Sequence, residues 1–411
     1  MTQTPARRRQ RTWSAFGDIR RRPSDYEIGT QGMNWTMRAN RKAPFEQNPS
    51  SPANLWMRAN RDESPLQALD WETFREPDSL TYRSYVTQQN EQEAKVSGVL
   101  DQFAAAKADA ELSQPARATL AKLFTPTRYP IHGAQQVLAY IGYMAPSGYI
   151  TNPAALSTAD MLRRVTLVSY RTRELQLAWP DDGFATGERA TWETDEAWQP
   201  TRKAIELALT TYDWAEAFTA MNLVLLPTLD DVLLRQLGEV ARDNNDTLTW
   251  LLTSFLQRDV DRRERWSGEL ARFALGANAD NATVLRRWVD RWTPRADDAA
   301  RALGTLFETV PERGRPAVDV ATAAAAARER FLAGAGIGST GTGSDSTSTD
   351  SAGTGTGTDS AGTGASTGSA GAGTDSAGTG AGTGSAGAGT NSAGTDSAGA
   401  GTDSTTAVHG G

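Results

Sequence analysis

The sequence contains no cysteine and only two histidines in 411 residues. Without cysteine the chain has no disulfides, thiolate zinc sites, iron–sulfur clusters or cysteine nucleophiles. One histidine, His132, lies among helix-forming residues, while His409 is close to the C-terminus. There is no run of about 18 apolar residues and no apolar signal-peptide core near the N-terminus. We therefore expect a cytoplasmic protein with no membrane partner.

The sequence also lacks a strong charge of one sign outside its C-terminal end. Residues 334–411 are almost entirely Gly, Ala, Ser, Thr and Asp, with six Asp and no Lys or Arg. Subtracting these six charges from the net charge of −7 leaves only −1 for residues 1–333. A nearly neutral body gives no electrostatic basis for binding nucleic acid. The tail has no large side chains to offset its conformational entropy, so we predict that it is disordered.

The first 85 residues are rich in proline and large aromatic side chains and show little periodicity. Such a long irregular segment is uncommon inside a compact domain. It fits better as an arm that lies on another surface with its aromatic residues as anchors, although folding back on its own domain remains open. We expect a body without residues 1–80 to fold but not to assemble. The candidate partner-contact residues are Trp13, Tyr26, Trp35, Trp56, Tyr82 and Tyr85.

Residues 86–333 show helical periodicity throughout. "EQEAKVSGVLDQF" places Val96, Val99, Leu100 and Phe103 on one helix face, and later segments repeat this spacing. We see no alternating strand pattern, so the predicted fold class is all-α. Within this region Ser157 is predicted to begin a helix as a capping box with Asp160, and Pro227 to kink or break a helix.

Two segments repeat a carboxylate three residues before an arginine. "TADMLRRV" contains Asp160 and Arg163, and "QRDVDRRE" contains Asp259 and Arg262. In four-helix di-iron proteins, two helices each carry Glu-x-x-His, with the histidine at i+3. Arginine offers only hydrogen-bond donors and cannot bind a metal ion. With one histidine in the body, a standard di-iron centre in this chain is excluded.

The Asp/Arg spacing also has an ordinary explanation. Exposed pairs of this kind contribute only about 0.2 to 0.5 kcal/mol, and the same spacing recurs at Asp18/Arg21 and Asp298/Arg301. The pairs at Asp160/Arg163 and Asp259/Arg262 differ because each lies at the edge of an apolar helix face. If both point inward, their ion pairs fill the space that ligands and metal would occupy.

Several stretches, in order from about residue 11 to 306, resemble one protein family. They include "RTWSAFGDIRRRPSDYEI", "SPANLW", "LTYRSYV", "FTPTRYPIHGAQQ", "SYRTRELQLAWPD", "YDWAEAFTAMNLVLLP" and "NNDTLTWLL". These stretches resemble the beta subunit of toluene and alkene monooxygenase hydroxylases, which are bacterial soluble di-iron monooxygenases. The resemblance implies a ferritin-like helical bundle without metal ligands, in which the two Asp/Arg pairs replace the ligands.

The resemblance also implies partners and cofactors. The hydroxylase of this family is a dimer of alpha, beta and gamma heterotrimers, and the alpha subunit carries the di-iron centre that activates O2. A Rieske ferredoxin and a reductase, with iron–sulfur clusters and FAD, deliver electrons from NADH, and a small effector protein couples them to the reaction. In this family the N-terminal extension of the beta subunit embraces the alpha subunits.

The sequence therefore favours a non-catalytic beta subunit with no cofactor of its own, in a monooxygenase that hydroxylates aromatics or epoxidises alkenes. An independent ferritin-like oxidase or desaturase with an unusual metal site is one alternative. A nucleic-acid-binding protein is another, since seven arginines lie within the first 22 residues. In the family that the sequence resembles, the substrate pocket lies in the alpha subunit, so this sequence does not distinguish toluene, a phenol, propene and isoprene.

Overall fold

A computed structural model describes Ser24, Tyr26 and residues 52–310 and 312–338 of the chain. Trp13, Trp35 and nearly all of the predicted tail lie outside these described residues. Within the described ranges the chain is helical and contains no β-strand. The prediction of an all-α fold is confirmed.

Eleven α-helical segments of the ranges 52–310 and 312–338 are numbered here in chain order, with short π- and 3₁₀-helical turns between or within some of them. Their bounds are α1 Pro52–Met57, α2 Tyr82–Ala105, α3 Gln114–Thr119, α4 Arg128–Met144, α5 Gly148–Ala178, α6 Glu188–Thr194, α7 Gln199–Leu209, α8 Trp214–Asp243, α9 Thr247–Ala277, α10 Asn281–Glu308 and α11 Ala317–Gly334. Helix α4 packs along α5, α9 packs against α8, and α10 packs along α11.

Helix α8 lies in the centre of the helical body, and its most apolar stretch is fully buried. It is the one helix among the described residues that is long and apolar enough to cross a membrane, but here it forms the core. Of the kink or break predicted at Pro227, the break is wrong, because α8 continues through π-helical turns at Thr219–Leu225 and Asp231–Gln236. A wider turn beside Pro227 accommodates the proline, which has no N–H to donate.

The helices that matter most for the site begin at side-chain caps. The Thr81 hydroxyl accepts from the N–H of Ser84 at the start of α2, and the Asp246 carboxylate accepts from Thr249 at the start of α9. Such caps satisfy N–H groups that have no partner within the helix. Helix α5 is capped by Ser147, not by Ser157. The capping box predicted at Ser157 is therefore wrong, since this residue lies inside α5, well after its first turn.

Residues 52–81 pack on the body of their own chain. The ring centroids of Trp71 and Trp214 are 5.3 Å apart, those of Phe74 and Phe273 are 5.6 Å apart, and Leu66 is buried. This part of the predicted arm therefore completes the hydrophobic core. The expectation that residues 81 onward fold without it stays a prediction, and these contacts weigh against it, because the deletion would expose the surfaces that these side chains cover.

Candidate functional site

The two Asp/Arg motifs face each other across helices α5 and α9, and their ion pairs are crossed. The Arg262 guanidinium on α9 contacts the Asp160 carboxylate on α5, while Arg163 on α5 contacts Asp259 on α9. Arg262 also donates to Asp259 within its own helix at 3.0 Å. Three of these residues are buried, and the Arg163 side chain is 11% exposed. The motifs therefore serve mainly to join two helices.

An antiparallel arrangement of α5 and α9 explains the crossing. Moving along α5 from Asp160 to Arg163 corresponds to moving back along α9 from Arg262 to Asp259. Consistent with this direction, the indole N–H of Trp266, one turn beyond Arg262, donates to the hydroxyl of Ser157, one turn before Asp160, at 3.0 Å. Side chains three or four residues apart share a helix face, so both motifs point at the same layer of the bundle.

Helix α2 packs against the same layer and contributes side chains that hydrogen-bond to both aspartates. The side-chain amide of Gln89 donates to Asp160 at 2.9 Å and to Asp259 at 3.0 Å. The hydroxyl of Tyr85 donates to Asp160 at 2.8 Å. At the outer edge, Arg163 donates to Glu93 at 2.7 Å. We call Tyr85, Gln89, Asp160, Arg163, Asp259 and Arg262 the crossed-pair cluster.

A fourth helix, α8, supplies the acid of a second ion-pair group. Its two arginines each follow an arginine of the crossed pairs by one residue. Asp230 accepts from Arg164 of α5 and from Arg263 of α9, at 2.5 Å in each case. All three side chains are buried. Helices α5 and α9 therefore each carry the sequence Asp-x-x-Arg-Arg, in which the first arginine contacts the aspartate of the other helix and the second contacts Asp230 of α8.

Burial and neighbouring charges shift the pKa values of Asp160 and Asp230 in opposite directions. Burial, together with the nearby charge of Asp259, raises the pKa of Asp160 to about 6 despite its contact with Arg262. Burial also acts to raise the pKa of Asp230, but Arg263 and Arg164 outweigh it and hold that pKa below its ordinary value. Asp230 therefore stays ionised between its two cations, whereas Asp160 is poised near neutral pH.

The residues of this layer do not fit a di-iron centre. Such a centre needs two histidines and four carboxylates, but positions 163 and 262 carry guanidinium groups that have no lone pair for a metal. Position 89 carries an amide. In the described part of the chain, no group of three or more His, Asp or Glu side chains is arranged to hold a metal ion. His132 lies on the exposed side of α4.

The predicted partner-contact residues separate into three groups. Trp13 and Trp35 lie outside the described residues. Tyr82 and Trp56 are exposed, at 76% and 40%, and remain candidates for contact with another subunit. Tyr26 is buried with its ring centroid 5.9 Å from that of Tyr149, and Tyr85 is buried in the crossed-pair cluster. The side chains of Tyr26 and Tyr85 therefore point into the protein, which corrects their assignment as partner contacts.

Gln89, Asp230, Arg164 and Arg263 were not identified from the sequence. The doubled arginine in both "DMLRR" and "DVDRR" is a signal that identifies two of them, since two adjacent cations on an apolar helix need two buried anions. Gln89 and Asp230 carry no comparable signal. Their roles depend on how α2 and α8 pack against the other two helices.

Comparison with known proteins places the chain in a family. The sequence model for methane, phenol and alkene hydroxylases matches residues 56–278. The toluene-4-monooxygenase hydroxylase subunit beta of Ectopseudomonas mendocina is 39% identical over 299 residues, which cover 73% of this chain and 91% of that protein. This chain belongs to the methane, phenol and alkene hydroxylase family. It is homologous to a beta subunit of that family.

Solved structures in the hydroxylase family have the same fold. A toluene 4-monooxygenase structure with toluene in its resting active site superposes with a TM-score of 0.66 and 37% identity, covering 74% of this chain and 99% of the matched chain. A xenon-pressurised phenol hydroxylase from Pseudomonas sp. OX1 gives a TM-score of 0.69 at 19% identity, covering 83% and 99%. The second likeness shows the fold alone. The ferritin-like helical fold expected from the sequence is confirmed.

Proposed function

We propose that this chain is the non-catalytic beta subunit that scaffolds the hydroxylase of an NADH-dependent multicomponent monooxygenase. The hydroxylase inserts oxygen from O2 into an aromatic ring or an alkene at a di-iron centre in the partner alpha subunit. The observation that carries the proposal is the combination of 39% identity to a hydroxylase beta subunit with a crossed-pair cluster whose arginines cannot bind iron. The cytoplasm is the expected compartment.

The proposed partners are an alpha and a gamma subunit in a dimer of heterotrimers. A reductase with FAD, a Rieske ferredoxin and an effector protein act on the assembled hydroxylase. The contribution of this chain is mechanical, because the placement of metal ligands in the alpha subunit depends on rigid packing behind them. A bundle tied together by two buried ion-pair groups provides such a rigid support.

One exposed face of α5 is suited to contact the alpha subunit. Leu162, Tyr170 and Leu177 are 53%, 53% and 65% exposed. They are eight and seven residues apart, which returns them to one side of the helix about every two turns. A row of exposed apolar side chains is typical of a protein–protein contact. The opposite side of the same helix carries Asp160 and Arg164, so this helix links the contact face to the buried ion pairs.

The proposal is tested by co-expressing the chain with hydroxylase alpha and gamma subunits from the same genome. The wild-type chain is expected to co-purify with them as a stoichiometric assembly that hydroxylates or epoxidises substrate when the reductase, ferredoxin and effector are added. The Leu162→Asp/Tyr170→Asp variant is expected to remain helical and to lose most of this co-purification. Val318→Asp, at a 66% exposed apolar residue on α11, is the matched control and should assemble normally. Normal assembly of the α5 variant contradicts this contact face, and failure of the wild-type chain to assemble contradicts the function.

A further inference from the structure

The chemistry of the crossed-pair cluster supports an inference beyond the scaffold role. We infer that Arg163 and Arg262 place two guanidinium cations where a four-helix di-iron bundle holds its two metal ions, so that the site is a metal site rebuilt from protein charges. The inference deepens the proposed function and rests on it only for the origin of the bundle. The geometry of the cluster is independent of what the subunit assembles with.

The first support is the number of helices that meet at one layer. A carboxylate di-iron site takes one Glu from each of two helices and a Glu-x-x-His from each of the other two. Here α5 and α9 each present Asp-x-x-Arg, and α2 presents Gln89, which contacts both aspartates. Helix α8 presents Asp230 to Arg164 and Arg263, the residues next to the two cluster arginines. Three helices therefore meet in the cluster, and the fourth carries an acid that is joined to it through the adjacent arginines. Chance surface pairs, such as Asp298/Arg301 with side chains 62% and 64% exposed, do not converge in this way.

The second support is the crossing of the pairs. Each guanidinium lies against the aspartate of the opposite helix, so each cation bridges α5 and α9 as a bound metal ion would. Gln89 then hydrogen-bonds to both aspartates at 2.9 and 3.0 Å. An amide at position 89 suits this arrangement because it donates to the aspartates, whereas a third carboxylate would repel them.

The third support is charge balance. Above about pH 6, where Asp160 is ionised, the two aspartates of the cluster carry two negative charges and the two arginines carry two positive charges. Glu93, which also pairs with Arg163, is 50% exposed and lies outside the cluster. Removing one partner leaves a buried charge uncompensated, which is strongly unfavourable. The two arginines therefore compensate the charge of the two ligand-type carboxylates without metal. This account explains why long, permanently charged side chains occur at both i+3 positions.

The inference predicts that shorter side chains with a lone pair will restore metal binding. In Arg163→His/Arg262→His, the imidazole is shorter than the guanidinium, which leaves space for an ion between each ring and the opposite aspartate. Neutral histidine also leaves Asp160 and Asp259 without their cations, so a divalent ion would supply the missing charge. Adding Gln89→Glu provides one more oxygen ligand from α2.

The experiment is a Co(II) titration of the purified full-length chain, read by visible ligand-field absorption and by equilibrium dialysis. The double-histidine variant and its Gln89→Glu derivative are expected to bind up to about two Co(II) per chain, at least about 100-fold more tightly than wild type. A matched control adds Asp160→Asn/Asp259→Asn to the double-histidine variant and should lose this binding. Arg301→His, which places histidine three residues after the exposed Asp298, should bind no more tightly than wild type.

Folding is measured in the same samples by circular dichroism and thermal unfolding. If the double-histidine variant unfolds without metal, the inference requires Co(II) during refolding to restore the helical signal and raise the melting temperature. A folded variant that binds no Co(II), or an unfolded one that Co(II) does not rescue, overturns the inference. Binding that persists in the asparagine control also overturns it, because the ion would then be held elsewhere. None of these outcomes bears on the scaffold function, which is read from assembly with the partner subunits.

Discussion

The guanidinium group of Arg262 lies against the carboxylate of Asp160, 102 residues away in the sequence, and joins helix α9 to helix α5 in the protein interior. The equivalent contact between Arg163 and Asp259 crosses it. Ion pairs of this kind often add little net stability compared with well-packed apolar residues. We expect their main consequence to be specificity, because each helix is held by a partner that a displaced helix would not reach.

The first prediction concerns loss of one partner from a crossed pair. Arg262→Met leaves Asp160 without its main cation, so the free energy of unfolding should fall by about 3 to 5 kcal/mol. Adding Asp160→Asn should recover part of that loss. Urea unfolding of the purified chain measures both effects.

The control for this cycle is the exposed pair Asp298/Arg301, which has the same spacing on α10. Arg301→Met should change the free energy of unfolding by no more than about 0.5 kcal/mol. Equal effects at the buried and exposed pairs would show that the crossed pairs are not structurally important.

The second prediction concerns pH. The pKa of Asp160 is about 6 in the folded chain, above its ordinary value of 3.8, so the folded state holds this proton more tightly than the unfolded state. The stabilisation is complete below about pH 4 and is lost as pH rises through about 6. Asp160→Asn cannot titrate, so the stability difference between wild type and this variant should shift by up to about 3 kcal/mol between pH 4 and 7. A difference that does not change with pH would contradict the shifted pKa.

The third prediction concerns Asp230, for which the pH dependence has the opposite sign. Arg263 and Arg164 hold its pKa below the ordinary value, so its stabilising contribution is present above about pH 4 and is lost as pH falls further. Asp230→Asn leaves two buried arginines without an acid and should destabilise the chain at neutral pH. Chemical unfolding at pH 7 and pH 3 should show a smaller difference from wild type at pH 3. An equal or larger difference at pH 3 would contradict this assignment.

The fourth prediction concerns the two ends of the described chain. Deleting residues 1–80 removes Leu66 and Phe74, each 1% exposed, so the remaining body should lose cooperative thermal unfolding. Phe74→Ala alone should cost about 3 to 5 kcal/mol. A cooperative transition in the deletion variant at the wild-type temperature would show that residues 52–81 do not complete the core.

At the C-terminal end, Ala335 and Ile337 are buried, so deletion from residue 334 removes part of the body. Deletion of residues 339–411 spares these contacts and should leave the activity of the assembled hydroxylase unchanged. Loss of more than about half of the activity on this shorter deletion would indicate a role for the tail, which as a Gly/Ala/Ser/Thr/Asp segment is predicted to make no packing contribution.

The sequence was sufficient for the helical class and for selecting Asp160, Arg163, Asp259 and Arg262, which the structure brings together as ion pairs. Periodicity and spacing are local properties, and they are visible without the fold. The crossing of the pairs was not predictable from spacing, because it depends on the antiparallel packing of helices about 100 residues apart. Gln89 was missed for the same reason.

The N-terminal segment shows a different limit. Its aromatic residues indicated that the segment covers another surface, but composition does not specify which one. Trp71 and Phe74 cover the body of their own chain, while Tyr82 faces outward at 76% exposure. Burial of an aromatic residue is decided by long-range packing, which local composition does not record.

The measurement that tests the central claim most directly is anomalous X-ray scattering at the iron edge from crystals of the assembled hydroxylase after loading with ferrous iron. The account predicts no anomalous peak in this chain between α2, α5, α8 and α9, because Arg163 and Arg262 fill that space, and predicts iron peaks in the partner alpha subunit. A peak between Asp160 and Asp259 would contradict the account, since this chain would then hold the metal that we assign to its partner.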